Sequence, residues 1–166
     1  MIATLFLLLA AHAAVPSHSG SKALVLLFTR SDCPISNRYA PALEHMYKEY
    51  SSQGIDFKLV YPEPDLTAAA MAKHNRDYGY SMPSVLDSSH KFVNMAKARF
   101  TPEAAVFVQG REIYLGRIDD WYAAWNESRV KPLHHDLQDE ITAVLAGTVP
   151  AYRETEAIGC AIENTQ

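Results

Sequence analysis

The chain has 166 residues, which fits a single domain, and its 48% hydrophobic and 20% charged residues are typical of a globular protein. A formal net charge of −4 and the lack of a Lys/Arg cluster argue against a nucleic-acid partner. The seven histidines are scattered, apart from His134 and His135. We therefore predict no metal site and no cofactor.

The first residues have the pattern of an export signal. Residues 2–10 form an apolar run, and Ala11-His12-Ala13 matches the small-residue site at which signal peptides are cut. The run is too short for a comfortable membrane span. We predict a signal peptide over residues 1–13, no stable membrane insertion after its removal, and a periplasmic or other extracytoplasmic location, where cysteines can pair. The alternative is a retained apolar strand or anchor.

Strand and helix patterns alternate along the rest of the chain. The apolar run at residues 23–28 is typical of a central strand covered on both faces. Spacing and capping residues predict helices over 34–50, from Asp65 to about Asp77, from Ser88 or Ser89 to Lys97, and over 135–146, with Gly147 ending the last. Further strands are predicted over 56–61 and 84–86, and a hairpin over 104–108 and 112–115. This order predicts an α/β fold with a mixed sheet and helices on both faces.

Cys33 stands where a strand ends and a helix begins. Pro34 suits the first helical position because its missing N–H would be unpaired there in any case. The sulfur of Cys33 would then lie at a helix N-terminus, which favours an anion, and the thiolate is the reactive form of cysteine. Arg38 is a candidate to tune this thiol, whereas the adjacent Asp32 would raise its pKa. The alternative is a small buried hydrophobic residue, as most free cysteines are.

Two motifs carry a family resemblance. A strand followed by Cys33-Pro34, an amphipathic helix, and a later Thr101-Pro102 before a strand resemble the thioredoxin-like superfamily. The phrase Cys-Pro-Ile-Ser-Asn-Arg-Tyr-Ala-Pro at residues 33–41 resembles the redoxin group, whose relatives include the alkyl hydroperoxide reductase/thiol-specific antioxidant proteins. Residues 116–122 and Ile158-Gly159-Cys160 look typical of extracytoplasmic bacterial redoxins.

The resemblance extends over about residues 22–162 and implies a thioredoxin-like three-layer α/β/α fold with a mixed central sheet. It gives a redoxin domain at residues 22–147, followed by an irregular tail, 148–166, that carries Cys160. It also implies that the bond between Thr101 and Pro102 is cis, that Pro102 lies opposite Cys33, and that the backbone before Pro102 pairs with a substrate chain. The alternative is a trans proline that starts a strand.

The chain departs from two redox motifs of this superfamily. Ser36 replaces the second cysteine of Cys-x-x-Cys, and its hydroxyl would either hydrogen-bond the Cys33 thiolate or face solvent on the helix surface. The peroxiredoxin pattern Pro-x-x-x-Thr-x-x-Cys is also broken, because Leu26 and Arg30 stand at its proline and threonine positions. The resemblance therefore implies neither a Cys-x-x-Cys dithiol at the helix N-terminus nor a complete peroxiredoxin peroxide pocket.

The second thiol of the chain is Cys160, thirteen residues after Gly147. At about 3.3 Å per extended residue, the chain between them could span roughly 40 Å, enough to cross a small domain. Cys160 is therefore a candidate resolving cysteine. The alternatives are a static disulfide with Cys33 and a free thiol in the tail.

These observations predict an exported thiol–disulfide oxidoreductase of the redoxin type. Its candidate catalytic residues are Cys33, Ser36, Thr101, Pro102 and Cys160, and its substrate would be a protein or a low-molecular-weight thiol or disulfide. Two alternatives stay open. One is a thiol peroxidase, which needs a peroxide pocket and a sulfenic acid on Cys33. The other is a non-catalytic binding module with a redoxin fold.

Overall fold

The structure is a computed structural model that describes residues 20–163, so the predicted signal peptide lies outside the described residues. The helices are α1 (Pro34–Tyr50), α2 (Ala68–Tyr78), α3 (Lys91–Ala96) and α4 (Asp136–Leu145). The strands are β1 (Ala23–Phe28), β2 (Ile55–Tyr61), β3 (Ser84–Leu86), β4 (Phe100–Thr101), β5 (Glu103–Val108), β6 (Arg111–Gly116), β7 (Tyr122–Ala124), β8 (Glu127–Ser128), β9 (Arg153–Glu154) and β10 (Cys160–Ala161). Within residues 20–163, none of the helices is both long enough and apolar enough to cross a membrane.

The core of the molecule is a six-stranded mixed sheet with the order β3-β2-β1-β5-β6-β9. Strands β1, β2 and β3 run parallel, whereas β5 lies antiparallel to both β1 and β6. Every residue of β1 is buried, as its continuous apolar sequence predicts. Val25 and Leu27 face a core cluster formed with α1 and α4, and Leu26 and Phe28 face a second cluster formed with α3. The predicted three-layer fold is confirmed.

Two helices begin later than the sequence predicts, because in each case a residue other than the predicted cap sets the start of the helix. Helix α2 was expected to follow Asp65, but Thr67 is its cap, and the Thr67 hydroxyl accepts a hydrogen bond from the Ala70 N–H at 3.2 Å. Helix α3 was expected from Ser88 or Ser89. Its start is set by Asp87, whose carboxylate accepts the N–H groups of the first helical turn at 2.9 and 3.0 Å.

The segment after α4 is not an irregular tail throughout. Strand β9 adds to the edge of the main sheet beside β6, and β10 pairs with β4 in a second, two-stranded sheet. Asp136, at the start of α4, holds this segment through an ion pair with Arg153 at 2.7 Å and also pairs with Arg117 at 2.7 Å. Between residues 148 and 163 the chain therefore adds a strand to the main sheet and then returns to β4.

Candidate active site

Cys33 is the residue from which α1 begins. It has an extended backbone conformation with φ −85° and ψ 112°, and Pro34 occupies the first turn, as predicted. The Asn37 N–H donates to the Cys33 carbonyl at 3.0 Å, which closes the first helical turn. The Cys33 side chain is fully buried at 0% exposure. Its sulfur therefore lies at the N-terminus of a seventeen-residue helix and out of contact with solvent.

Thr101 and Pro102 lie directly beside this sulfur. The Cys33 thiol donates to the Thr101 carbonyl at 3.2 Å. The bond between Thr101 and Pro102 is cis, so this prediction and the juxtaposition with Cys33 are confirmed. Both residues are buried. Their part in binding a substrate chain stays a prediction.

Cys160, near the other end of the chain, also lies beside Thr101. In the antiparallel pair of β10 and β4, Cys160 is the partner of Thr101. The Thr101 hydroxyl donates to the Cys160 carbonyl at 3.4 Å. Both cysteines are free thiols in this structure. The fold thus places the only two thiols of the chain next to each other, across a distance of 127 positions in the sequence.

The two thiols have pKa values shifted in opposite directions. Burial opposes ionisation of Cys33, but hydrogen bonds from Cys160 and from Ser36 outweigh it, so the pKa of Cys33 lies below its ordinary value. Burial, and then the hydrogen bond to Cys33, raises the pKa of Cys160 to about 12. Of the two thiols, Cys33 is therefore the one that ionises more readily, and Cys160 is the one that keeps its proton.

Ser36 is fully buried on α1, so the interpretation of Ser36 as a surface serine is wrong. Within residues 20–163 its hydroxyl oxygen has no hydrogen-bond partner while the Cys33 thiol donates to Thr101. A thiolate is a much better acceptor than a thiol. We conclude that the hydroxyl becomes a donor to Cys33 when that residue ionises, which is how Ser36 lowers the pKa of the thiol.

Arg38, a sequence-based candidate for tuning the thiol, has a different contact. Its guanidinium carbon lies 5.0 Å from the centre of the Trp121 ring and 5.7 Å from that of Tyr122. The groups that lower the pKa of Cys33 most are Cys160 and Ser36. Tyr39, the next residue of α1, donates to the Asp119 carboxylate at 2.5 Å. This face of α1 is thus packed against an aromatic cluster.

A polar network that the sequence did not reveal fixes the loop before Cys33. Glu63 accepts hydrogen bonds from the Ser31 N–H at 2.8 Å and from the Ser31 hydroxyl at 2.5 Å. The Asn37 amide nitrogen donates to the Ser31 carbonyl at 3.1 Å, and the Asn37 amide oxygen lies 2.9 Å from His74 Nε2. Since that oxygen can only accept, His74 carries its proton on Nε2. Burial lowers the pKa of His74, although Asp77 opposes the shift.

The sequence held one signal for this network. Glu63 is a carboxylate between two prolines directly after a buried strand, a pattern that by itself indicates only the end of that strand. Nothing in the sequence linked it to Ser31. As for metals, no group of three or more His, Cys, Asp or Glu side chains in the described part of the chain is placed to hold an ion.

Comparison with known proteins agrees with this geometry. The redoxin family profile matches residues 14–117, more than half of the chain. The chain belongs to the redoxin family. A comparison with curated proteins gave no significant match.

Solved structures share the fold of this redoxin. A hypothetical protein from Sinorhizobium meliloti is 26% identical, with a TM-score of 0.74 over 88% of this chain and 81% of its own. An uncharacterized conserved protein from Geobacillus kaustophilus is 22% identical, with a TM-score of 0.74 over 87% and 78%. A putative thiol:disulfide interchange protein DsbE from Chlorobium tepidum is 16% identical, with a TM-score of 0.58 over 76% and 81%. These likenesses place the chain in the thioredoxin-like fold.

Proposed function

We propose that this redoxin is an exported thiol–disulfide oxidoreductase in which Cys33 is the nucleophile and Cys160 the resolving cysteine. One observation carries the proposal: two free thiols meet beside Thr101, one with a lowered and one with a raised pKa. A static buried cysteine needs neither a helix N-terminus nor a second thiol. Export is supported by the signal-like residues 1–13.

The reaction follows from the two thiols. The Cys33 thiolate attacks one sulfur of a substrate disulfide, and the other substrate sulfur leaves as a thiolate. Cys160 gives up its proton to that leaving group or to water and attacks the sulfur of Cys33. The second substrate sulfur then leaves, and a disulfide joins Cys33 to Cys160. Two electrons have passed from the protein to the substrate, and an external dithiol returns them.

The substrate class is a protein or a low-molecular-weight disulfide. The likeness to the interchange protein from Chlorobium tepidum supports this class through the shared fold. A peroxidase would need its own pocket, but Leu26 is buried inside β1 and Arg30 is paired with Asp32 at 3.0 Å. The residues at the proline and threonine positions of the peroxiredoxin pattern are thus engaged in other contacts.

Trapping of the mixed disulfide tests the proposal. Without Cys160, the mixed disulfide on Cys33 has no internal nucleophile to resolve it. We expect Cys160→Ser to accumulate a Cys33-linked adduct after addition of oxidised glutathione, measured by mass spectrometry, whereas the wild type forms the internal disulfide. Cys33→Ser is the matched control and should form no adduct at pH 7, because burial, the largest cause of the raised pKa of Cys160, still keeps that thiol protonated.

Consumption of hydrogen peroxide tests the peroxidase alternative. If the wild type consumes hydrogen peroxide rapidly with thiol recycling and Cys160→Ser traps nothing, the protein is a peroxidase. If neither activity appears, and Cys33→Ser behaves as the wild type, the site is a binding module.

A further inference from the structure

Helix α2 buries a histidine where an amphipathic helix would bury an apolar side chain. His74 is the buried residue of this helix. Moving an imidazole out of water is unfavourable unless its nitrogens find partners. Both do: His74 Nδ1 lies 2.7 Å from the Tyr61 hydroxyl of β2, and Nε2 lies 2.9 Å from the side-chain oxygen of Asn37 on α1. His74 thus links α2 to the strand and to the helix on either side of it.

Asn37 is the residue through which this link reaches Cys33. Its side-chain nitrogen donates to the Ser31 carbonyl at 3.1 Å, and its main-chain N–H donates to the Cys33 carbonyl at 3.0 Å. Asn37 therefore holds both ends of the turn formed by residues 31–33. The proton on His74 Nε2 fixes the orientation of the Asn37 amide, because the oxygen of that amide has to face a donor.

Tyr61 keeps that proton on Nε2. The Tyr61 hydroxyl lies 2.7 Å from His74 Nδ1 and 2.7 Å from the side-chain oxygen of Asn75, which is oriented by its amide nitrogen donating to the Ser84 hydroxyl at 2.9 Å. When Tyr61 donates to Nδ1, the single proton of the neutral ring is on Nε2. When Nδ1 is itself protonated, the hydroxyl donates to Asn75 instead, and Nε2 still carries its proton. The donor to Asn37 is present in both states.

The other groups around the His74 ring are compatible with this arrangement. The ring centroids of Tyr78 and Tyr80 lie 4.5 and 6.2 Å from that of His74. Asp77 is the carboxylate that acts on the ring, but it is exposed and paired with Lys73 at 2.5 Å. Burial has the larger effect and lowers the pKa of His74. It therefore favours the neutral ring, in which Tyr61 is the donor to Nδ1.

We propose that His74 is a positioning residue for Cys33, which it holds in line with Cys160 by fixing Asn37, and that Tyr61 selects the tautomer that does so. The step concerned rests on the proposed function. In that step Cys160 loses its proton to water and attacks the Cys33 sulfur of a mixed disulfide, a sulfur–sulfur bond forms, and the substrate sulfur leaves as a thiolate. A displacement of about 1 Å can slow such a step about a hundredfold.

The rate of disulfide closure tests the inference. The reduced protein is mixed with oxidised glutathione, and conversion of the Cys33 adduct into the internal disulfide is followed by rapid quenching and mass spectrometry. We expect His74→Leu to slow this conversion at least about tenfold, because Asn37 loses its donor. His74→Gln should restore most of the wild-type rate, since the amide nitrogen of glutamine can donate to Asn37. An unchanged rate in His74→Leu, or an equal loss in both variants, would overturn the inference.

Two controls separate positioning from stability. Thr67→Ala removes the cap of α2 and weakens that helix without touching the contacts of His74. It should leave the closure rate unchanged, and a loss as large as that of His74→Leu would show that His74 only attaches the helix. The second control combines His74→Leu with Asn37→Ala. Because His74 acts through Asn37, this double variant should close no more slowly than Asn37→Ala alone, and additive losses would contradict the inference.

The tautomer of His74 gives a reading that needs no disulfide chemistry. The nitrogen-15 chemical shifts of the ring should show a proton on Nε2 in the wild type and a mixture of tautomers in Tyr61→Phe, which has no donor for Nδ1. A wild-type ring with its single proton on Nδ1 would refute the proposal. If the wild type forms no internal disulfide, the proposed function fails. Alkylation of Cys33 by iodoacetamide then tests positioning, and equal rates in His74→Leu and His74→Gln would overturn it.

Discussion

Ser36 is the residue that separates this site from a two-cysteine helix terminus. A second cysteine at its position would resolve a mixed disulfide from within α1. The Ser36 hydroxyl can donate a hydrogen bond to a thiolate but cannot form a disulfide, and in the described chain it is buried without a hydrogen-bond partner. In the proposed mechanism, Ser36 stabilises the Cys33 thiolate and Cys160 resolves the mixed disulfide.

We predict that Ser36→Ala raises the pKa of Cys33. The thiolate is the form that reacts, and the Ser36 donor helps to hold the pKa of Cys33 below its ordinary value. Loss of about half a pKa unit of this stabilisation would slow alkylation by iodoacetamide about threefold at pH 7 and move the midpoint of the rate profile to higher pH. The exposed Ser52→Ala is the control. An unchanged midpoint would show that Ser36 does not contact the thiolate.

At the scale of elements, the turn after β2 holds the loop after β1. Glu63 accepts both the N–H and the hydroxyl of Ser31, two residues before Cys33. Since β1 and β2 are adjacent parallel strands, their carboxyl ends lie side by side, and the turn can support the loop directly. The position of the nucleophile therefore depends on a carboxylate in a different element.

We predict that Glu63→Ala lowers the free energy of unfolding by about 1–3 kcal/mol, because two half-buried donors of Ser31 lose a charged acceptor. It should also slow the alkylation of Cys33, since the loop before the helix loosens. Urea denaturation and the iodoacetamide rate measure the two effects. Asp65→Ala, an exposed acidic residue in the same turn, should change neither. Loss of stability without loss of reactivity would limit Glu63 to a structural role.

At the scale of the whole molecule, one buried carboxylate joins the sheet, the last helix and the C-terminal segment. Asp136 of α4 pairs with Arg117, just after β6, and with Arg153 of β9. Burial opposes its ionisation, but the hydrogen bonds from the two arginines outweigh it, so the pKa of Asp136 is lowered. This junction ties the C-terminal segment to the end of β6 and the start of α4.

We predict that Asp136→Asn destabilises the protein by about 1–3 kcal/mol at pH 7, since both arginines lose a charged partner. Because the folded pKa is lowered, the unfolded chain takes up the proton first as pH falls below about 3.9, and the stabilisation is lost there. The difference between variant and wild type in urea denaturation should therefore shrink at pH 3. Asp139→Asn, an exposed acid of the same helix turn, is the control. A difference that persists at pH 3 would contradict the ionic role.

Local sequence determined much of this protein. The continuous apolar run of β1, Pro34 at the start of α1 and the hairpin of β5 and β6 follow from preferences that act within a few residues, and the structure contains each of them. The position of Cys33 at the helix N-terminus likewise follows from the residues next to it. The resemblance to the thioredoxin-like superfamily added the cis Thr101–Pro102 bond, which composition and spacing alone would not have predicted.

Only the tertiary structure decided how distant residues meet. Spacing allowed Cys160 to reach Cys33 but equally allowed it to lie elsewhere, because a chain of that length can cross the domain in many ways. The pairing of β10 with β4, the contact of Glu63 with Ser31 and the burial of Ser36 are settled by the packing of the whole chain. The sequence thus singled out Cys33 as the candidate nucleophile. The tertiary structure decided which residues surround it, since contacts between distant positions depend on the sum of many packing interactions rather than on any local pattern.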